Sequence, residues 1–179
     1  MISEYAYGKN KWVLTIFFFG WGISTMLISI LLVNTVTTVW AMIGDFLIFI
    51  SGIGAIMGGL FDVKHKLHGL SFALGVPTMI AGVLLVAYNL IHLAGWQPHA
   101  AKILLMSHLV WVSCVLMAAS MALMFSGFKK AGISWEKDAE PPKEVPKGVI
   151  AVGGYANRLL VFCYIAWNIL IAWIFVQNF

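Results

Sequence analysis

The sequence predicts an all-α fold, a polytopic integral membrane protein built as a bundle of five transmembrane helices. Three observations carry this reading. Of 179 residues, 61% are apolar and only 10% are charged, whereas a soluble domain needs about a quarter of its residues charged. The apolar residues gather into five runs, each close to the ~20 residues that cross a bilayer. The basic residues sit in the gaps between those runs. Inside hydrocarbon every backbone amide must bond within its own segment, so the runs form helices. The ten-residue alternating strands of an outer-membrane barrel are absent from the sequence.

The first run is Trp12 to Val33, preceded by Lys9 and Lys11. It exceeds the ~7–15 apolar residues of a signal peptide and no small-residue cleavage site follows, so an uncleaved anchor is expected. The second, Trp40 to Leu60, carries Gly44, Gly52, Gly54, Gly58 and Gly59. Gly54 and Gly58 form a small-xxx-small pair that admits a neighbouring helix closely, within the chain or in a homo-oligomer. The third, Gly69 to Trp96, contains Pro77, which should kink it and free a carbonyl. Ile103 to Phe128 makes the fourth span. A linker over 129–148 follows, with five Lys, four acidic residues and Pro141, Pro142 and Pro146. Such a mixed-charge segment can lie on anionic headgroups. Ala156 to Val176 is the fifth span.

Five spans put Lys9, Lys11, Lys64, Lys66, Lys129, Lys130, Lys137, Lys143, Lys147 and Arg158 on one side and Lys102 alone on the other. The positive-inside bias then makes the N-terminus cytoplasmic and the C-terminus external. The formal charge of +4 forms no basic face on a polar domain, which excludes nucleic acid as a partner. Cys114 and Cys163 lie inside apolar runs without metal-type spacing and read as small hydrophobes. There is no G-x-S-x-G elbow, H-E-x-x-H, phosphate loop or C-x-x-C-H. No lysine lies in the last span to carry retinal, and no span is Arg-rich like a voltage sensor. No cofactor or resident metal is expected, and the sequence leans away from an enzyme.

Ionisable groups within a membrane are costly and each needs a reason. They fall into two sets. The cytoplasmic set is Asp62, His65 and His68 in the turn joining spans two and three, with Asn157 and Arg158 opening span five. Spacing by three places Asp62, His65 and His68 on one face if the turn is helical. The readings are an Asp62–Arg158 tie with headgroup-level histidines, a pocket for a lipid headgroup or small anion, or a three-ligand metal site without an evident fourth ligand. The outer set is Asp45, Asn89, His92, His99 and His108, with Asn168 deeper. At ~1.5 Å per residue, Asp45, His92 and His108 lie ~6–9 Å below their span ends, at one depth on three helices. A hydrogen-bonded network, a water-lined proton or substrate site, and a haem or metal held by His92 and His108 are the alternatives.

Leu60-Phe61-Asp62 followed by His68-Gly69 is one recognisable part of the sequence. Val145-Pro146-Lys147-Gly148-Val149-Ile150-Ala151 leading to Gly154-Tyr155-Ala156-Asn157-Arg158-Leu159-Leu160, with Trp167 beyond, is the other. Together they resemble the prokaryotic multi-span membrane family catalogued as domain of unknown function 998. The likeness extends over most of the chain, and the closing Gly-x-x-Asn-Arg-Leu-Leu segment is its most specific part. It implies an integral protein of a prokaryotic plasma membrane without an established activity, in which Asp62, His68, Asn157 and Arg158 matter as a set. It lends no comparable support to Asp45, His92 or His108. The first expectation is thus a non-enzymatic membrane protein whose cytoplasmic edge binds lipid headgroups or a partner. A small transporter or proton-coupled protein using the outer set is the second. A membrane enzyme or a haem or metal carrier is the third.

Overall fold

The computed structural model describes residues 11–62, 65–133 and 145–178. Its helices are α1 (Lys11–Leu32), α2 (Val39–Leu60), α3 (His68–Leu90), α4 (Ala100–Lys130) and α5 (Gly153–Asn178), with no strand among the described residues. All five are long and apolar enough to cross a membrane, which makes this a multi-pass membrane protein. Large apolar side chains remain exposed all round the bundle, Trp12, Phe46, Phe72, Phe162 and Ile169 among them. In a membrane these surfaces face lipid at no cost.

Successive helices run antiparallel. Contacts pair Gly22 with Gly52 across α1–α2, Gly44 with Gly82 across α2–α3, and Gly127 of α4 with Val149 just ahead of α5. Tyr88 meets His108 across α3–α4. α5 then lies beside α1, where Tyr164 meets Trp21 edge to ring at 5.9 Å, and its hydroxyl donates to the Val76 carbonyl of α3 at 3.0 Å. One end of the bundle therefore gathers Lys11, Lys66, Lys129, Lys130, Lys147 and Arg158, and the other has Lys102. We refer to these as the basic end and the far end.

Glycine sets the spacing of the first three helices. A methyl group on Gly54 would sit 2.3 Å from the Gly75 backbone nitrogen, and one on Gly22 would sit 2.5 Å from the Gly52 carbonyl oxygen. Gly58 has more room, with Phe18 of α1 at 3.6 Å. The small-xxx-small pair thus faces α3 through Gly54 and α1 through Gly58, both within the chain.

α3 runs through Pro77 unbroken. Proline lacks an N–H, which strips the Ala73 carbonyl of its helical partner. Side-chain hydroxyls crowd onto the adjoining turn: Thr78 donates to Leu74, Ser51 to Gly75 at 2.6 Å and Tyr164 to Val76 at 3.0 Å. Supplying hydroxyls to irregular backbone is how a membrane helix tolerates proline.

Four boundaries differ from the sequence expectation. α3 stops at Leu90, not Trp96. From there the chain tightens into three-residue turns, with His92 N–H on Asn89 and Leu93 N–H on Leu90. Twenty-three residues already span roughly 34 Å, enough for the hydrocarbon. α4 begins at Ala100 behind a short 3₁₀ turn over Gln97–His99, with Pro98 at its start. α5 starts at Gly153 despite the Gly153-Gly154 pair. First-turn amides have no intrahelical partner in any helix, and Gly153 lies beside Met121 of α4, where a methyl would make ordinary contact with the sulfur at 3.5 Å. α4 also runs on through Lys130, and the middle of the expected linker, 134–144 with Pro141 and Pro142, lies outside the described residues, as do Lys9 and Lys64.

Candidate functional site

At the basic end the α2–α3 turn is internally braced. The Phe61 N–H caps α2 by bonding to the Met57 carbonyl, and the Phe61 carbonyl lies 3.0 Å from His68 Nδ1. The His65 ring stacks on Phe61 at 4.4 Å, and its Nδ1 accepts the Leu67 N–H at 3.2 Å. Asp62 pairs with Lys11 at the start of α1, 3.6 Å away. The three residues spaced by three therefore hold the turn in separate ways and do not converge as ligands. Among the described residues no group of three His, Cys, Asp or Glu side chains is placed to hold a metal ion.

Asn157 and Arg158 belong to the α4–α5 pair. The Asn157 amide donates toward the Met117 sulfur at 3.5 Å, which tethers the half-buried side chain to α4. Arg158 is exposed, and its guanidinium carbon lies 5.8 Å from the Tyr155 ring centre. The expected Asp62–Arg158 tie is not among the described ion pairs, so the cytoplasmic set divides between two places along this end.

The outer set divides as well. Asn89 clasps the α1–α2 loop: its Oδ1 accepts the Thr37 N–H at 3.1 Å and its Nδ2 donates to the Thr37 hydroxyl at 3.0 Å. His92 lies past the end of α3 and is exposed, so it does not share the depth of Asp45. His99 packs edge-on against Trp173 at 5.4 Å. His108 accepts the Trp111 indole N–H on Nδ1 at 2.9 Å and has the Tyr88 hydroxyl 3.3 Å from Nε2. An indole N–H only donates, so Nδ1 is the bare nitrogen and neutral His108 carries its proton on Nε2, facing Tyr88. Both ring nitrogens of His108 thus have partners on α3 and α4.

What the structure buries instead are two polar links to α1, one from α2 and one from α5. Asp45 and Asn168 are each only 5% exposed. Ser29 of α1 donates to the backbone carbonyl of Asp45 at 2.9 Å. Asn168 donates through Nδ2 to the Thr25 hydroxyl at 2.8 Å, and Thr25 donates onward to the Trp21 carbonyl at 2.9 Å. Asp45 Oδ1 and Asn168 Oδ1 have no hydrogen-bond partner. Thr25 and Ser29 were missed from the sequence, although their i,i+4 spacing puts both hydroxyls on one face of α1. At the far end a cleft of about 520 Å³ opens between Ile30, Leu31, Asn34, Leu93, Trp96 and Phe175.

Comparison with family models, curated proteins and solved structures finds no match to this chain.

Proposed function

We propose that the protein is a non-enzymatic multi-pass protein of a prokaryotic plasma membrane. Its basic end faces the cytoplasm with the N-terminus inside, and binds anionic lipid headgroups there. The single observation that carries this reading is the placement of Arg158 over Tyr155. Arg158 lies five residues beyond the start of α5, ~7.5 Å along the helix axis, and faces out of the bundle. Tyr155 beneath it is 76% exposed. An outward arginine at that depth must extend its guanidinium to the interface, where phosphate oxygens suit its planar donors. The aromatic ring holds the same level by the usual interfacial preference of tyrosine. Lys129 and Lys130 end the neighbouring α4 on the same side of the bundle, ~18 Å along the axis beyond the Met117 level that Asn157 contacts, and add positive charge to that end.

Native mass spectrometry of the purified protein tests this. Arg158→Ala should lower the fraction carrying phosphatidylglycerol or cardiolipin several-fold, while Arg158→Lys, which keeps charge but loses the planar fork, should fall between. Equal anionic-lipid retention in all three proteins would falsify the reading.

A further inference from the structure

The buried polar side chains that link α1 to α2 and α1 to α5 have donors and acceptors in unequal supply. Each hydroxyl and amide donor is already committed: Ser29 to the Asp45 carbonyl, Thr25 to the Trp21 carbonyl, Asn168 Nδ2 to Thr25. The uncommitted atoms are acceptors, namely Asp45 Oδ1 and Asn168 Oδ1, both buried without a partner. Ser29 Oγ keeps its lone pairs as well, since a hydroxyl accepts as readily as it donates. Thr25 and Ser29 are successive turns of one α1 face, ~6 Å apart along the axis. They anchor the residues that bear the two orphaned oxygens at adjacent levels. No described basic side chain forms an ion pair with Asp45.

We propose that Asp45 and Asn168 form the core of a buried site for one alkali-metal cation, with the Ser29 hydroxyl as a third oxygen ligand. An orphaned buried acceptor is costly and a native fold rarely keeps two unanswered. Carboxylate, amide and hydroxyl oxygens are hard ligands that select hard cations over zinc or copper. A single carboxylate balances a single positive charge, which favours a monovalent ion over calcium or magnesium. The site lies where α5 meets the glycine-packed helices, so an ion there would tie α1 and α2 to α5. This goes beyond headgroup binding at the basic end and uses none of its residues.

The full-length protein in detergent tests the site by thermal unfolding at one pH and one ionic strength, in sodium, potassium or choline chloride. With cation ~100-fold above its Kd, the midpoint in sodium or potassium should exceed that in choline by about 5 °C or more. Asp45→Asn should abolish the difference, and in choline it should unfold no lower than wild type because the neutral amide removes a buried charge. Asn168→Leu, which keeps the carboxylate but loses the amide oxygen, should shrink the difference. Identical wild-type midpoints in the three salts overturn the site, as does an unaltered difference in Asp45→Asn. A midpoint that moves with pH alone, alike in all salts, assigns Asp45 a proton and also overturns it.

Discussion

The α1–α2–α3 unit is held backbone to backbone, whereas α4 and α5 are held through large side chains. In the first unit, Gly22 against Gly52, Gly44 against Gly82 and Gly54 against Gly75 bring main chains so close that a single methyl would overlap. In the second, Trp167 is wholly buried and donates its indole N–H to the Ser107 hydroxyl at 2.9 Å, and Asn157 reaches Met117. The seam between them is joined by Tyr164 on Val76 and Asn168 on Thr25. Lipid offers no hydrophobic gain for helix association, so close contact and interhelical hydrogen bonds must do the holding. The two regions divide those roles. Contacts between backbones leave no slack, and Asn168, whose Oδ1 is buried without a partner, lies where the two kinds of packing meet.

Substitutions at the glycine contacts should separate the regions most sharply. Gly54→Ala places its methyl against the Gly75 and Leu74 backbone, which no rotamer change relieves. Overpacking of this kind should cost about 3 kcal/mol, read as a lower unfolding midpoint in detergent and a loss of α2–α3 crosslinking yield. Wild-type stability in Gly54→Ala would mean that the glycine packing is not what spaces these helices. In the second region Trp167→Phe keeps most of the packing but leaves the Ser107 hydroxyl without its indole donor. About 1–2 kcal/mol should be lost there, and the additional Ser107→Ala change should recover part of it. A double-mutant cycle with no coupling would sink the assignment. Tyr164→Phe at the seam removes one hydroxyl from the Val76 carbonyl for about 1 kcal/mol, measurable by the same unfolding assay. Gly58→Ala is the smallest expected effect. Its methyl would meet only Phe18, at 3.6 Å, and alanine favours helix over glycine by ~1 kcal/mol. The variant should match or slightly exceed wild type, and a large loss would show that Gly58 carries a contact outside this chain.

Much of the architecture was legible before any coordinates. The five spans, their helical form and the separation of Lys102 from the other basic residues all follow from composition and run length. The errors fell at ends and among polar partners. α3 was read six residues too long because Ile91, Leu93 and Trp96 continue its apolar run, and hydropathy does not register where the backbone tightens into turns. His92 was consequently placed inside a helix that had already ended. Asp45 was singled out for the right reason, as a buried acid in a span, but given histidine neighbours on the strength of shared depth. Its described polar contact instead involves Ser29 on α1. A tie between Asp62 and Arg158 was one reading of two charges at one membrane edge, and the described ion pair of Asp62 is with Lys11.

The errors among polar partners share a cause. Depth along a membrane helix is readable from sequence, since each residue adds a fixed rise and the run must span the hydrocarbon. Rotation about the helix axis is not, because helices apolar on every face carry little pattern to say which side turns inward. The sequence by itself therefore determined how many helices cross, which end is basic, and the level of a polar group wherever the end of its span was read correctly. Only the tertiary structure decided which polar groups meet. Glycine contacts set the rotation of α1, α2 and α3, and that rotation buried Asp45 against Ser29 while His108 faced Tyr88 and Trp111.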